Sequence, residues 1–132
     1  MTSELQLINP ETSEVLVPEL RLAATFWTRL RGLQFRKELP NGEGLLIVPC
    51  RSVHTHWMRF AIDVVMIDAN GQIIEVRSSL RPWQTLSGPR STRAVLEVPA
   101  DSAAVIVGDR VAIRQSGQDA VPIPARFLLE RT

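Results

Sequence analysis

Short apolar runs, several alternating with polar residues at a period of two, recur along this chain and predict many short β-strands. Leu5–Ile8 and Val15–Val17 predict two strands joined by the turn-rich Asn9-Pro10-Glu11-Thr12, a terminal hairpin. Pro18 interrupts the pattern. Leu20–Ala24 resumes it, with an edge position or a bend expected beside the proline. Leu45–Val48 is a wholly apolar strand closed by Pro49. Ser52–Met58 reads as a strand with His54, His56 and Met58 on one face. Val64–Ile67 and Gln72–Val76 flank Asp68-Ala69-Asn70-Gly71, where Asn70-Gly71 is a strong hairpin signal. Ala94–Val98 and Arg110–Gln115 complete the strands, the last one entered by a tight turn at Gly108-Asp109.

One stretch breaks to helical spacing. Phe26, Trp27, Leu30 and Leu33 follow Thr25, a suitable N-cap, and Gly32 is placed to end the helix after about two turns. Pro99–Val107 is expected to hold one further helical turn. Leu80–Arg93 is the longest expected loop; it carries Trp83 with Arg81, Arg90 and Arg93. The tail ends in Phe127-Leu128-Leu129, an apolar triplet expected to dock. The fold class expected is α+β: a curved mixed, mostly antiparallel β-sheet or partly closed barrel with one or two short helices. Residues 1–132 are expected to form one domain, with the N-terminal hairpin and C-terminal tail packed on a core at about residues 20–113.

Composition narrows the classes. No apolar run approaches the roughly 18 residues of a membrane span, and the N-terminus lacks the basic start of a secretory signal. The single cysteine, Cys50, permits no intrachain disulfide, so a reducing, cytoplasmic location is expected. The net charge of +1 conceals a basic middle: residues 29–93 hold ten basic and five acidic residues, between acidic flanks. All basic residues but Lys37 are arginines, the better fork for carboxylate or phosphate. A solvated surface explains most such charge, and an anion-binding middle is the functional alternative. No nucleic-acid partner is expected, given the near-neutral total, few aromatics and no RNA-recognition or helix-turn-helix signature.

The candidate chemistry gathers between Cys50 and Ile74. His54 and His56 on one strand face would need further ligands to hold a metal; no HxxxH, CxxC or HExxH pattern supplies them, and no cofactor is expected. Cys50 reads better as a small apolar filler than as a nucleophile. The glycine-bearing loop Leu39–Gly44 is not a phosphate loop, since no Gly-Lys-Ser/Thr follows. Asp63, bracketed by Ile62 and Val64, is expected to pair with Arg59 or to accept backbone N–H bonds. The functional reading groups His54, Arg59, Asp63 and Trp83 at a pocket. Asp68, Gly71 and Glu97 are expected as structural polar positions.

The pieces Arg29-Leu-Arg-Gly-Leu33, Gly42-Glu-Gly-Leu-Leu46, Ser52-Val-His-Thr55, Met58-Arg-Phe60, Ile62-Asp-Val-Val65, Asp68-Ala-Asn-Gly71, Pro82-Trp83, Val95-Leu-Glu-Val-Pro99 and Gly108-Asp-Arg-Val111 follow one another in order. In that order and spacing the chain resembles the prokaryotic domain-of-unknown-function 192 family over about residues 20–113. The resemblance implies a small mixed, curved sheet with short helices and no established activity. Position 56 is not usually histidine in that pattern, which disfavours a site requiring His56. Glu97 matches the pattern, which adds weight to it as a partner for a buried arginine. The leading expectation is a domain binding a small anionic ligand near His54, Arg59, Asp63 and Trp83. A small hydrolase or lyase using the same cluster is the second reading, and a protein-interaction module the third.

Overall fold

The middle of the molecule is a five-stranded sheet, in the order β3-β4-β9-β6-β7. In this computed structural model, residues 5–25, 28–29, 32–34, 36–117 and 121–130 are described. The strands are β1 (Leu5–Ile8), β2 (Val15–Val17), β3 (Glu19–Ala23), β4 (Glu43–Ile47), β5 (Ser52–His54), β6 (Ile62–Asp68), β7 (Ile73–Leu80), β8 (Thr85–Ser87), β9 (Thr92–Pro99) and β10 (Ala112–Gln115). β3 pairs parallel with β4 and the other pairings are antiparallel, so the sheet is mixed. The class is α+β with little helix. The sheet does not close into a barrel, because β3 and β7 remain its two edges.

β6 explains the layering. Every residue from Ile62 to Ile67 is buried, as expected for a strand covered on both faces. Val65 and Ile67 pack on one face with Leu7, Leu46, Leu96, Val98 and Ile113, under the three-stranded sheet β10-β1-β2. Ile62, Val64 and Met66 pack on the other face with Leu33, Ile47, Val53, Met58, Leu86 and Val95, under the two-stranded β5–β8 sheet. The tail forms a 3₁₀-helix at Ile123–Leu128 and docks Leu128 into the first of these clusters.

Thr25 caps a helical turn: its hydroxyl accepts from Thr28 N (3.1 Å), and its carbonyl accepts from Arg29 N (2.9 Å). Gly32 then takes φ 50°, closing the turn as its position suggests. Phe26, Trp27, Leu30 and Arg31, expected in this helix, lie outside the described residues.

Three expectations change. Ser52–Met58 is not one strand; β5 stops at His54 and residues 56–57 turn. Leu80–Arg93 is not a long loop, since β7 runs on to Leu80 and β8 forms within it and pairs with β5. Pro99–Val107 holds turns in place of a helical turn.

Candidate functional site

β5 ends at His54 because the next residue is drawn inward. Thr55 is fully buried; its hydroxyl donates to Arg81 O (2.6 Å) and accepts from Gln84 N (2.9 Å). Met58 N bonds back to Thr55 O, so residues 55–58 turn and Trp57 takes φ 67°. His54, His56 and Met58 therefore do not share a strand face.

A cavity of about 350 Å³ lies on this side of the central sheet, with Arg29, Leu33, Gln34, Cys50, His54 and Glu97 among its lining residues. Glu97 is placed there by the period of two: it alternates with Leu96 and Val98 of the opposite cluster and shares the face of Val95. It is 2% exposed, and burial pushes its carboxyl up to about 7. Gly32 closes over it, where a Cβ would stand 3.7 Å from Glu97 Oε1. Arg29 Nη1 donates to Pro49 O (3.1 Å), while its Nε is buried with no partner among the described residues. His54 Nε2 lies 3.2 Å from the Gln34 amide nitrogen, and its Nδ1 is likewise buried without a partner among the described residues. Burial, then the neighbouring His56, holds His54 below its ordinary pKa, so it is neutral at pH 7.

Cys50 lines the same cavity and donates its thiol to Ser52 O (3.1 Å). Burial pushes the thiol up, with Glu97 adding to the effect; the Ser52 hydrogen bond and Arg29 act the other way. It is a protonated thiol rather than an activated nucleophile. Among the described residues, no group of three or more His, Cys, Asp or Glu is placed to hold a metal ion.

The four sequence candidates do not converge. Asp63 lies on the opposite face of β6 from Val64, away from the cavity, and is 1% exposed. Its carboxylate accepts from Ser79 N (2.8 Å) near the end of β7 and from Ala103 N (3.0 Å) in the loop after β9, tying both to β6. Arg59 is exposed on the turn after β5 and is not its partner. Trp83 is exposed and joins His54 only through His56, whose ring centroid is 4.9 Å from His54 and 5.4 Å from Trp83. Asp68 accepts from Asn70 N and Gln72 N at the hairpin, where Gly71 takes φ 79°. The sequence pattern does not single out Arg29 as a site residue, and it gives Glu97 only a structural place. The alternation that puts Glu97 on the Val95 face is the signal that could have found it.

Two other hollows are less suited to chemistry. One of about 140 Å³, on the Asp63 side of the sheet, is mostly aliphatic. One of about 460 Å³ beside the Asn70-Gly71 turn and the tail has Glu11 and Arg110 exposed at its surface.

The family profile of the domain-of-unknown-function 192 family, described as uncharacterised, matches residues 8–113. A UPF0127 protein of Pyrococcus furiosus is 30% identical over 113 residues, covering 80% of this chain and 95% of that protein. A UPF0127 protein of Thermococcus sibiricus is 25% identical over 131 residues, covering 92% and 84%. The fold is similar to a protein of unknown function from Novosphingobium aromaticivorans, with TM-score 0.69 and 23% identity over 81% of each chain. A structure from Sinorhizobium meliloti is similar at TM-score 0.68 and 20% identity, covering 81% of this chain and 89% of that one. No helix among the described residues is long and apolar enough to cross a membrane. By its sequence match over most of its length, the chain belongs to the domain-of-unknown-function 192 family.

Proposed function

We propose that the chain binds a small oxyanion, a carboxylate above all, in the cavity walled by Arg29, His54 and Glu97. The observation that carries this reading is the pair of buried nitrogen atoms, Arg29 Nε and His54 Nδ1, on residues lining one cavity and without partners among the described residues. A buried donor left unpaired costs roughly 1–3 kcal/mol, so two in one wall suit a ligand that brings acceptors. With the Gln34 amide donating to His54 Nε2, the imidazole proton sits on Nδ1 and completes the donor set. Arg29 supplies charge in a form that matches a carboxylate. Glu97 adds an O–H donor while protonated and repels an anion once ionised. The volume of about 350 Å³ is at the small end of ligand sites, which span roughly 300–1,000 Å³. Arg29 and Glu97 thus join His54 in this reading, in place of the Arg59, Asp63 and Trp83 expected from the sequence.

Thermal-shift titrations with acetate, benzoate, phosphate and sulfate test this. At least one is expected to raise the melting temperature, by about 2.7 kcal/mol of stabilisation at a hundredfold excess over Kd. Arg29→Met should abolish the shift. Asp63→Asn should lower the starting stability by roughly 1–3 kcal/mol and leave the shift intact, because its carboxylate serves β7 and the loop after β9. A wild-type protein unmoved by all four anions would sink the proposal.

A further inference from the structure

Outside the cavity, His56, Trp57 and Trp83 build an aromatic stack on the surface. His56 is tilted 36° to His54 and 30° to Trp83, and Trp57 meets Trp83 edge-on with centroids 4.8 Å apart. The two tryptophans are 56% and 57% exposed. They are nevertheless held firmly. Trp83 N donates to the carbonyl of buried Thr55 (3.1 Å), and Trp57 and Trp83 take φ of 67° and 66°. A left-handed backbone is unusual for a bulky residue and persists only where its surroundings enforce it. The stack therefore ends in indole surfaces presented to solvent.

The segments that carry it hold charge of one sign. The segments Cys50–Ile62 and Leu80–Leu96, which carry the stack, contain five arginines and no aspartate or glutamate. Arg59 and Arg81, each two residues from a tryptophan, are exposed. The expectation of no nucleic-acid partner rested on the near-neutral total, the few aromatics and the lack of a known recognition signature; the first two are whole-chain averages that do not describe this patch.

We infer that this surface binds single-stranded nucleic acid, with a base stacking on Trp83 or Trp57 and Arg59 and Arg81 meeting the phosphates. Every base offers a π-face, and exposed aromatics beside basic side chains are how sequence-tolerant single-strand sites are built. A duplex keeps its bases stacked on one another and cannot offer them. A membrane surface fits less well: the exposed neighbours Gln84 and Thr85 are polar, and the patch has little aliphatic bulk to insert.

Titration of the full chain with a thymidine dodecamer, followed by tryptophan emission in about 50 mM salt, tests this. Saturable quenching is expected. Trp83→Ala should weaken binding roughly tenfold or more, and Trp83→Phe should recover most of it because a ring remains. Removing Arg59 and Arg81 together should flatten the log–log salt dependence by about 0.7 for each phosphate no longer neutralised. Circular dichroism would establish that each variant is folded. Arg29→Met should leave this binding unchanged, which separates it from the anion cavity. Absent quenching, unchanged affinity in Trp83→Ala, or equal binding of a duplex dodecamer would overturn the inference. So would phosphatidylglycerol vesicles that bind with the same dependence on Trp83.

Discussion

Glu97 stands opposite Leu45 on one neighbouring strand and Val64 on the other, with Leu96 and Val98 beside it. Desolvation there opposes ionisation, and the carboxyl moves from an ordinary 4.5 up to about 7. The folded state thus holds this proton to higher pH than the unfolded chain does. The stabilisation is complete below about pH 4.5 and is lost as pH rises through about 7. Its full size is about 3 kcal/mol, at about 1.4 kcal/mol for each unit. His54 acts in the opposite sense: its lowered pKa makes the fold less stable as pH falls below its ordinary 6.5. Glu97→Gln keeps the shape and removes the titration, so the His54 contribution cancels between the two proteins. Urea unfolding at several pH values from 4.5 to 8 should show wild type losing about 3 kcal/mol relative to the variant. Parallel curves would mean that Glu97 does not retain its proton in the fold.

The β6–β7 turn shows how a local signal specifies an element. Gly71 N donates to Asp68 O (3.1 Å), Asp68 N donates to Gln72 O (3.0 Å), and Asp68 Oδ1 gathers two further N–H groups. Gly71 alone in the loop takes a left-handed φ, 79°, which makes this a three-residue turn with a glycine bulge rather than a two-residue one. A Cβ there would also lie 2.9 Å from Val111 O. Gly71→Ala is therefore expected to cost about 1–3 kcal/mol in a denaturant titration. A variant as stable as wild type would show that neither the φ nor the close approach matters. Elements with their own local chemistry were legible in the sequence: this turn, the Leu5–Ile8 and Val15–Val17 hairpin, and the Thr25 cap. β5 and β8 were not. They are three residues each and exist by pairing with each other, while the strand end at His54 is imposed by Thr55 reaching Arg81 and Gln84. The candidate site was half legible for the same reason. His54 could be singled out, but its meeting with Arg29 and Glu97 depends on how the β5–β8 pair is laid over the central sheet.

At the scale of the whole molecule, layering sets an order of stability. β6 and β9 have hydrogen-bonded neighbours on both sides and apolar clusters on both faces. β5 and β8 form strand pairs only with each other, and of their six residues only Val53 and Leu86 are buried. Releasing two such side chains costs about 3–6 kcal/mol by area, toward the low end here because the pair is small and at the margin of its cluster. That is less than the roughly 5–15 kcal/mol of global unfolding, so the β5–β8 pair should open without the sheet. Native-state hydrogen exchange should find the amides of Val53 and Leu86 exchanging through a local opening, and those of Val65 and Leu96 only through global unfolding. Because opening moves His54 off the cavity wall, an anion that shifts the melting temperature should also slow exchange in β5 and β8. It should leave β2, an edge strand remote from Arg29 and His54, exchanging as before. Exchange of β5 and β8 at the same rate as β6 and β9 would show that the strand pair is part of the global unit, and the cavity wall would then have no independent motion for a ligand to restrain.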